Sequence, residues 1–226
     1  MDRQQWPTDS VQGRSGKSAG LSRRNLLATG GLVAGLAATA GASFLADQVE
    51  AMPSPKNKQN DIKILNNALY YEHQAIWAYE VAAGKLSTTD VGKAVLALAL
   101  MNQRDHKAHR DKLAEVVRSL GGKPVMAEKS YDVSSYLKKG EGGLDSDVNI
   151  AKLALALETD AAIAYTLEAA QLKTPELITA GASIGLDEAA HAAAIRATFR
   201  SLGVMLDIVP AAFMSPETRD RWILKV

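Results

Sequence analysis

Ala68-Leu69-Tyr70-Tyr71-Glu72-His73-Gln74-Ala75-Ile76-Trp77-Ala78-Tyr79 lies over Ala154-Leu155-Ala156-Leu157-Glu158-Thr159-Asp160-Ala161-Ala162-Ile163-Ala164-Tyr165 at a constant offset of 86. Ala68, Leu69, Glu72, Ala75, Ala78 and Tyr79 all recur in the second copy. Further along, Asp105-His106-Lys107-Ala108-His109 lies over Asp187-Glu188-Ala189-Ala190-His191 at an offset of 82, and each copy then runs to Arg-Ser-Leu-Gly. Internal self-similarity of this kind constrains a whole architecture. Apolar residues recur at helical spacing around each copy, so the predicted body is two related helical hairpins.

Turn chemistry sets the limits of four predicted helices, over 61–84, 89–120, 148–172 and 175–202. Gly84 stops the first and Gly121-Gly122 the second, Thr174-Pro175 opens the fourth in cap-then-proline order, and Gly203 closes it. The stretch between the second and third is long for a loop in a compact domain. Two hairpins whose first helices run antiparallel need such a connection along the bundle. The fold class is therefore all-α: an antiparallel four-helix bundle with one long crossover, over 61–203. A tail over 204–226 holds Pro210 and Pro216 and no convincing fifth helix.

Composition agrees and excludes much else. Of the 226 residues 47% are apolar but only 5% aromatic, which favours closely packed Ala- and Leu-rich helices. Beyond residue 51 basic and acidic residues balance at 21 each, so the body has no electrostatic footprint for nucleic acid. There is no cysteine, which excludes disulfides, thiolate nucleophiles, cysteine-held iron–sulfur clusters and a rubredoxin-like electron-transfer module. Any metal has to be held by His, Asp and Glu.

Residues 1–51 read as an address. The first twenty are polar and rich in Ser, Gly, Gln and Arg, a composition that does not order itself. Ser22-Arg23-Arg24 then precedes an uncharged run from Leu26 to Ala46, a pattern that resembles a twin-arginine export signal. Ala51 would suit cleavage, ahead of a Pro-rich linker over 52–60. An uncleaved anchor is the alternative, since about 20 apolar residues span a bilayer. The expected location is the periplasm or another extracytoplasmic compartment, with membrane contact only through this segment.

The polar residues shared by the two halves carry the chemistry. Glu72 has Ile76 and Tyr79 at i+4 and i+7, and Glu158 has Ala162 and Tyr165, so each acid lies on an apolar stripe. His109 shares its face with Leu113, Val116 and Leu120, and His191 with Ile195, Thr198 and Leu202. A carboxylate buried in an apolar bundle is costly unless paired or metal-bound. Glu188 stands three residues before His191, so Glu-x-x-His presents two donors from one helix face. Adjacent to Glu72, His73 points about 100° away and reads as surface or interhelical. Glu80 and Glu168 read as solvated.

Glu from two helices with Glu-x-x-His from the other two is the ligand set of the ferritin-like two-metal proteins. Residues 61–203 resemble that superfamily, similar to bacterioferritins and rubrerythrins in motif and to small twin-arginine-exported ferritin-like proteins in layout. The resemblance implies metal ligands at Glu72, His109, Glu158, Glu188 and His191, with Tyr79 and Tyr165 supporting them from a second layer. The sixth candidate ligand, His106, departs: it stands where the family has glutamate, which leaves three carboxylates where four would neutralise two divalent ions. Asp105, about 100° round the helix from His106, does not take its place. The implied cofactor is iron or manganese, mono- or dinuclear, with zinc also compatible and no haem. The implied chemistry is peroxide, dioxygen or ferroxidase-type redox reaction, and a homo-oligomer is compatible with it. The competing reading is a metal-free envelope or stress-related bundle whose Glu, His and Tyr form a hydrogen-bonded core.

Overall fold

The computed structural model describes residues 55–226, so the export-signal reading, Ala51 and residues 52–54 of the linker lie outside it. The regular elements among the described residues are all helices, with no strand: α1 Pro55–Ala83, α2 Asp90–Ser119, α3 Ser134–Lys138, α4 Asp147–Ala169, α5 Pro175–Ser201 and α6 Arg219–Trp222. Helix α1 starts six residues before the predicted 61, taking residues 55–60 out of the linker, because Pro55 suits a first helical turn and nothing after it breaks the pattern. Helices α1 and α2 pack as one hairpin and α4 and α5 as the other, while α3 lies inside the crossover.

Two carboxylates clasp the hairpins together at opposite ends. Asp147, in the first turn of α4, accepts from Ser87 N (2.8 Å), Ser87 Oγ (2.5 Å) and Thr89 Oγ1 (3.2 Å) in the α1–α2 loop. Asp61 of α1, fully buried, accepts from Lys173 N (2.8 Å), Thr174 N (3.1 Å) and Thr174 Oγ1 (2.6 Å) in the α4–α5 loop. These two aspartates also stand 86 residues apart, so the repeat extends to the clasp. Asp61→Asn would turn an amide N–H₂ against backbone donors. It should cost about 2–4 kcal/mol and lower the melting temperature by about 10 °C, read by thermal circular dichroism.

The crossover is seated rather than loose. At Gly142 the backbone φ is 113°, and a Cβ there would meet Leu153 N at 2.2 Å, so only glycine lets the chain approach α4 this closely. Arg219 of α6 binds Glu141 with two bonds of 2.8 Å and Asp160 with bonds of 2.5 and 2.8 Å, while Tyr136 of α3 donates to Asp160 at 3.0 Å. Arg196 of α5 donates to the carbonyls of Asp207 (2.9 Å) and Trp222. The tail over 204–226 is thereby fastened to crossover and bundle, although its one helix is only four residues long.

The apolar core falls into two clusters. One gathers Leu65, Leu69, Leu113, Val117, Leu177 and Ile184, and the other Val95, Ile150, Leu155, Ile195 and Phe199. Between them in the sequence of every long helix stand the buried polar residues Glu72, His106, Glu158, Glu188 and His191. Burial on both sides fixes the four backbones, which holds the polar side chains in place.

Candidate metal centre

Each long helix contributes to one polar centre: Glu72 from α1, His106 and His109 from α2, Glu158 from α4, Glu188 and His191 from α5. The structure brings all six together. Glu72, His106, His109 and Glu188 offer one ligand atom each within 4.8 Å of one another, and so do His106, Glu158, Glu188 and His191. His106 and Glu188 belong to both groups, so they lie at the shared middle.

His106 is held between two acids. Its Nδ1 is 2.8 Å from Glu72 Oε2 and its Nε2 is 3.2 Å from Glu158 Oε1. Carboxylates on both ring nitrogens favour the doubly protonated imidazolium. Burial works against that charge, but the nearby Glu188 and Glu158 outweigh it and hold the His106 pKa well above the usual histidine range. His191 directs Nδ1 to Glu158 Oε2 (3.2 Å) and Glu188 Oε2 (3.3 Å). Burial opposes its charge too, yet hydrogen bonds to Glu158 and Glu188 raise its pKa to about 10. His109 is carried to about 11 against burial, chiefly by the neighbouring carboxylates of Asp187 and Glu188.

The acids divide. Burial would raise Glu72, but the hydrogen bond from His106 and the nearby His109 bring it down to about 2, and His106 and His191 hold Glu158 well below the usual carboxylate range. Glu188 goes the other way: burial and the charge of Glu158 raise its pKa despite the histidines. Counted formally, three carboxylates and three imidazoliums balance, which makes the metal-free centre electroneutral.

Some buried atoms nevertheless have no hydrogen-bond partner. Glu188 Oε1 and His109 Nδ1 are 3.2 Å apart yet both lack one, and His191 Nε2 and Asn102 Oδ1 lack one as well. An orphaned carboxylate oxygen beside an orphaned imidazole nitrogen is a poor end state for a core and a good pair of metal donors. By composition and spacing the buried His/Glu cluster could bind a metal ion.

The tyrosines support the acids crosswise. Tyr79 of the first hairpin donates to Glu158 of the second, and Tyr165 of the second donates to Glu72 of the first. Asn102, fully buried, donates to Tyr79 Oη (3.0 Å) and Glu158 Oε1 (3.3 Å). Asn102 was not among the sequence candidates, because a single amide outside the repeat gives no signal. Asp105 and Asp187 were also passed over, although both stand in the aligned segment. Their carboxylates face the outer nitrogens of the histidines: Asp187 Oδ2 is 3.2 Å from His109 Nε2, and Asp105 Oδ2 is 3.6 Å from His191 Nε2. The recurrence of aspartate four residues before histidine was the available signal. His73 is half-buried and outside the ligand groups. Glu80 is exposed as expected, whereas Glu168 is partly buried, accepts from Asn67 at 2.6 Å and has a pKa raised by burial, because it borders a cavity between α1 and α4.

That cavity, of about 280 Å³, reaches the centre from the α1/α4 side. Its walls include Ala75, Ala78, Ala161 and Ala164, and Glu72, Glu158, Glu188 and His106 line it as well. Alanines recurring at the repeat offset keep the two first helices from filling the space between them. A small molecule can approach the carboxylates there through an apolar passage.

Residues 60–201 match the family described as ferritin-like domain. Among solved structures, the chain is similar to a conserved hypothetical protein from Mycobacterium tuberculosis, with 22% identity and a TM-score of 0.53 over 70% of this chain and 99% of that one. A likeness at that identity concerns the fold alone. No curated protein matches the chain.

Proposed function

The chain belongs to the ferritin-like domain family, and from that premise we propose that it is an exported metalloprotein binding iron or manganese at the Glu72/His106/His109/Glu158/Glu188/His191 centre. The observation that carries this reading is the orphaned pair Glu188 Oε1 and His109 Nδ1, buried and 3.2 Å apart. When bound, either metal would supply one-electron exchange with dioxygen or peroxide. The protein's part is separable from that. Glu188 Oε1 and His109 Nδ1 give two ligand atoms that no hydrogen bond holds, and Tyr79 and Tyr165 fix the rotamers of Glu158 and Glu72 through their hydroxyls. The alanine-lined cavity admits a small oxidant while keeping the centre poor in water.

Charge sets the stoichiometry. Replacing two imidazolium protons by one divalent ion, those of His106 and of the other histidine in its ligand group, leaves three carboxylates, one metal and one imidazolium, a sum of zero. A second divalent ion at the expense of the last proton leaves a formal charge of +1 in a buried site. His106 also has a single lone pair when neutral, so it serves one ligand group at a time. One tightly bound ion per chain follows at neutral pH. The reading is tested by peroxide consumption or ferrous oxidation against bound metal: activity proportional to iron or manganese supports it. An inert metal-loaded chain would favour the second reading, a structural envelope bundle, which draws its support from the electroneutral metal-free network.

Export rests on Ser22-Arg23-Arg24 and the uncharged run behind it. Changing Arg23 and Arg24 together to Lys should strand the precursor in the cytoplasm, seen by fractionation and immunoblot. Normal secretion of that variant would remove this part of the proposal.

A further inference from the structure

Opposite the cavity, on the α2/α5 side, lies a second group of donors. Asp105 and Asp187 are partly exposed there, and with His191 each offers a ligand atom within 4.8 Å of the others. His191 has a side chain only 7% exposed, and its Nε2 is a buried nitrogen with no hydrogen-bond partner. That nitrogen is 3.6 Å from Asp105 Oδ2 and 3.5 Å from Asp187 Oδ2.

These separations are informative. A hydrogen bond from imidazole to carboxylate would close to about 2.7–3.2 Å. The repeat-related contact has done so, with Asp187 Oδ2 at 3.2 Å from His109 Nε2. Around His191 the pair has stayed open. Ligand atoms about 2.0–2.2 Å from a tetrahedral ion stand roughly 3.3–3.6 Å apart, which matches the separation of each aspartate oxygen from the ring nitrogen. Two carboxylates and one imidazole are a donor set for a first-row divalent cation.

We propose that Asp105, Asp187 and the outward nitrogen of His191 form an outer divalent-cation site, a loading station for the buried centre. Loading rests on the metal-binding reading above; the outer site does not. His191 connects the two, with Nε2 facing the outer acids and Nδ1 at 3.2 Å from Glu158 and 3.3 Å from Glu188. A neutral imidazole has one lone pair, so the ring serves one site at a time: an inner ion on the Glu72/His106/His109/Glu188 group leaves Nε2 to the outer acids, where a second ion binds weakly. Cations then enter on the acidic α2/α5 face, apart from the apolar cavity on the α1/α4 face.

Asp105→Asn separates this from a role in orienting His191. Asparagine keeps a carbonyl to accept from Nε2–H and loses the anionic ligand. The metal-depleted full chain is titrated with Zn²⁺ against a chromophoric chelator, at equilibrium and by stopped flow. The expected wild-type result is one tight and one weak class of ion. In Asp105→Asn the weak class should vanish and core loading slow at least about tenfold, with tight affinity held within about twofold. A weak class that survives the substitution would overturn the proposal. So would a tenfold loss of tight affinity with the ion count unchanged, which would make Asp105 a positioning residue. A wild type with only a weak class, removed by Asp105→Asn, would uphold the outer site and sink the core reading. No binding in the wild type would sink both.

Discussion

His106→Glu should raise tightly bound iron from about one ion per chain to about two, because it completes the four-carboxylate set that neutralises a dinuclear centre. In the wild type the His106 ring lies between Glu72 at 2.8 Å and Glu158 at 3.2 Å, a fixed cation between the two ligand groups. Glutamate there removes that cation and adds a bridging acid. Metal analysis after gel filtration reads the result. Without metal the same change should destabilise, since a fourth acid joins Glu72, Glu158 and Glu188 with only His109 and His191 to balance them. Like charges held that close raise one another's pKa values. A carboxyl whose folded pKa is raised contributes stability below its unfolded pKa, lost as pH rises through the folded value. Melts of the metal-free variant should therefore recover towards acid pH, and added Fe²⁺ or Mn²⁺ should rescue it at neutral pH. Metal-insensitive melting with acid rescue would instead support the structural bundle.

Glu188→Gln should lower metal affinity more than about 100-fold, beyond what loss of a supporting residue costs, because both ligand groups share Glu188. The amide keeps the shape and loses the orphaned anionic oxygen. The fold should survive, since two apolar clusters flank the site and Asp61 and Asp147 clasp the hairpins independently of it. Helical circular dichroism unchanged, together with chelator competition, gives the comparison. Retained affinity would mean that the metal is held elsewhere.

The repeat made most of this fold legible. Glu72 and Glu158 at one offset, His109 and His191 at another, fixed the pairing of hairpins, and the long crossover followed from that. The apolar stripes showed which acids turn inward, because helical spacing alone decides the face. What stayed hidden depends on reach between elements. Asp105 was set aside on its angle from His106, yet its partner is His191 on another helix. Two antiparallel helices bring it there through a ring that has a nitrogen on each edge. Asp61 and Asp147 carry no local signal of a clasp, because their partners lie in loops more than fifty residues away. The same holds for Glu168, whose surroundings follow from the gap that facing alanines leave.

Calorimetric titration of the metal-depleted chain with Mn²⁺ at pH 7, repeated in buffers of different ionisation enthalpy, counts both the ions that the centre takes up and the protons that it gives up. The two histidines of either ligand group, His106 with His109 (pKa raised to about 11) or His106 with His191 (raised to about 10), are protonated at that pH and have to give up their protons to become ligands. One tight ion per chain is expected, with about two protons released and an affinity that rises with pH. Two tight ions per chain, or a single ion bound with no proton released, would contradict the proposed charge balance.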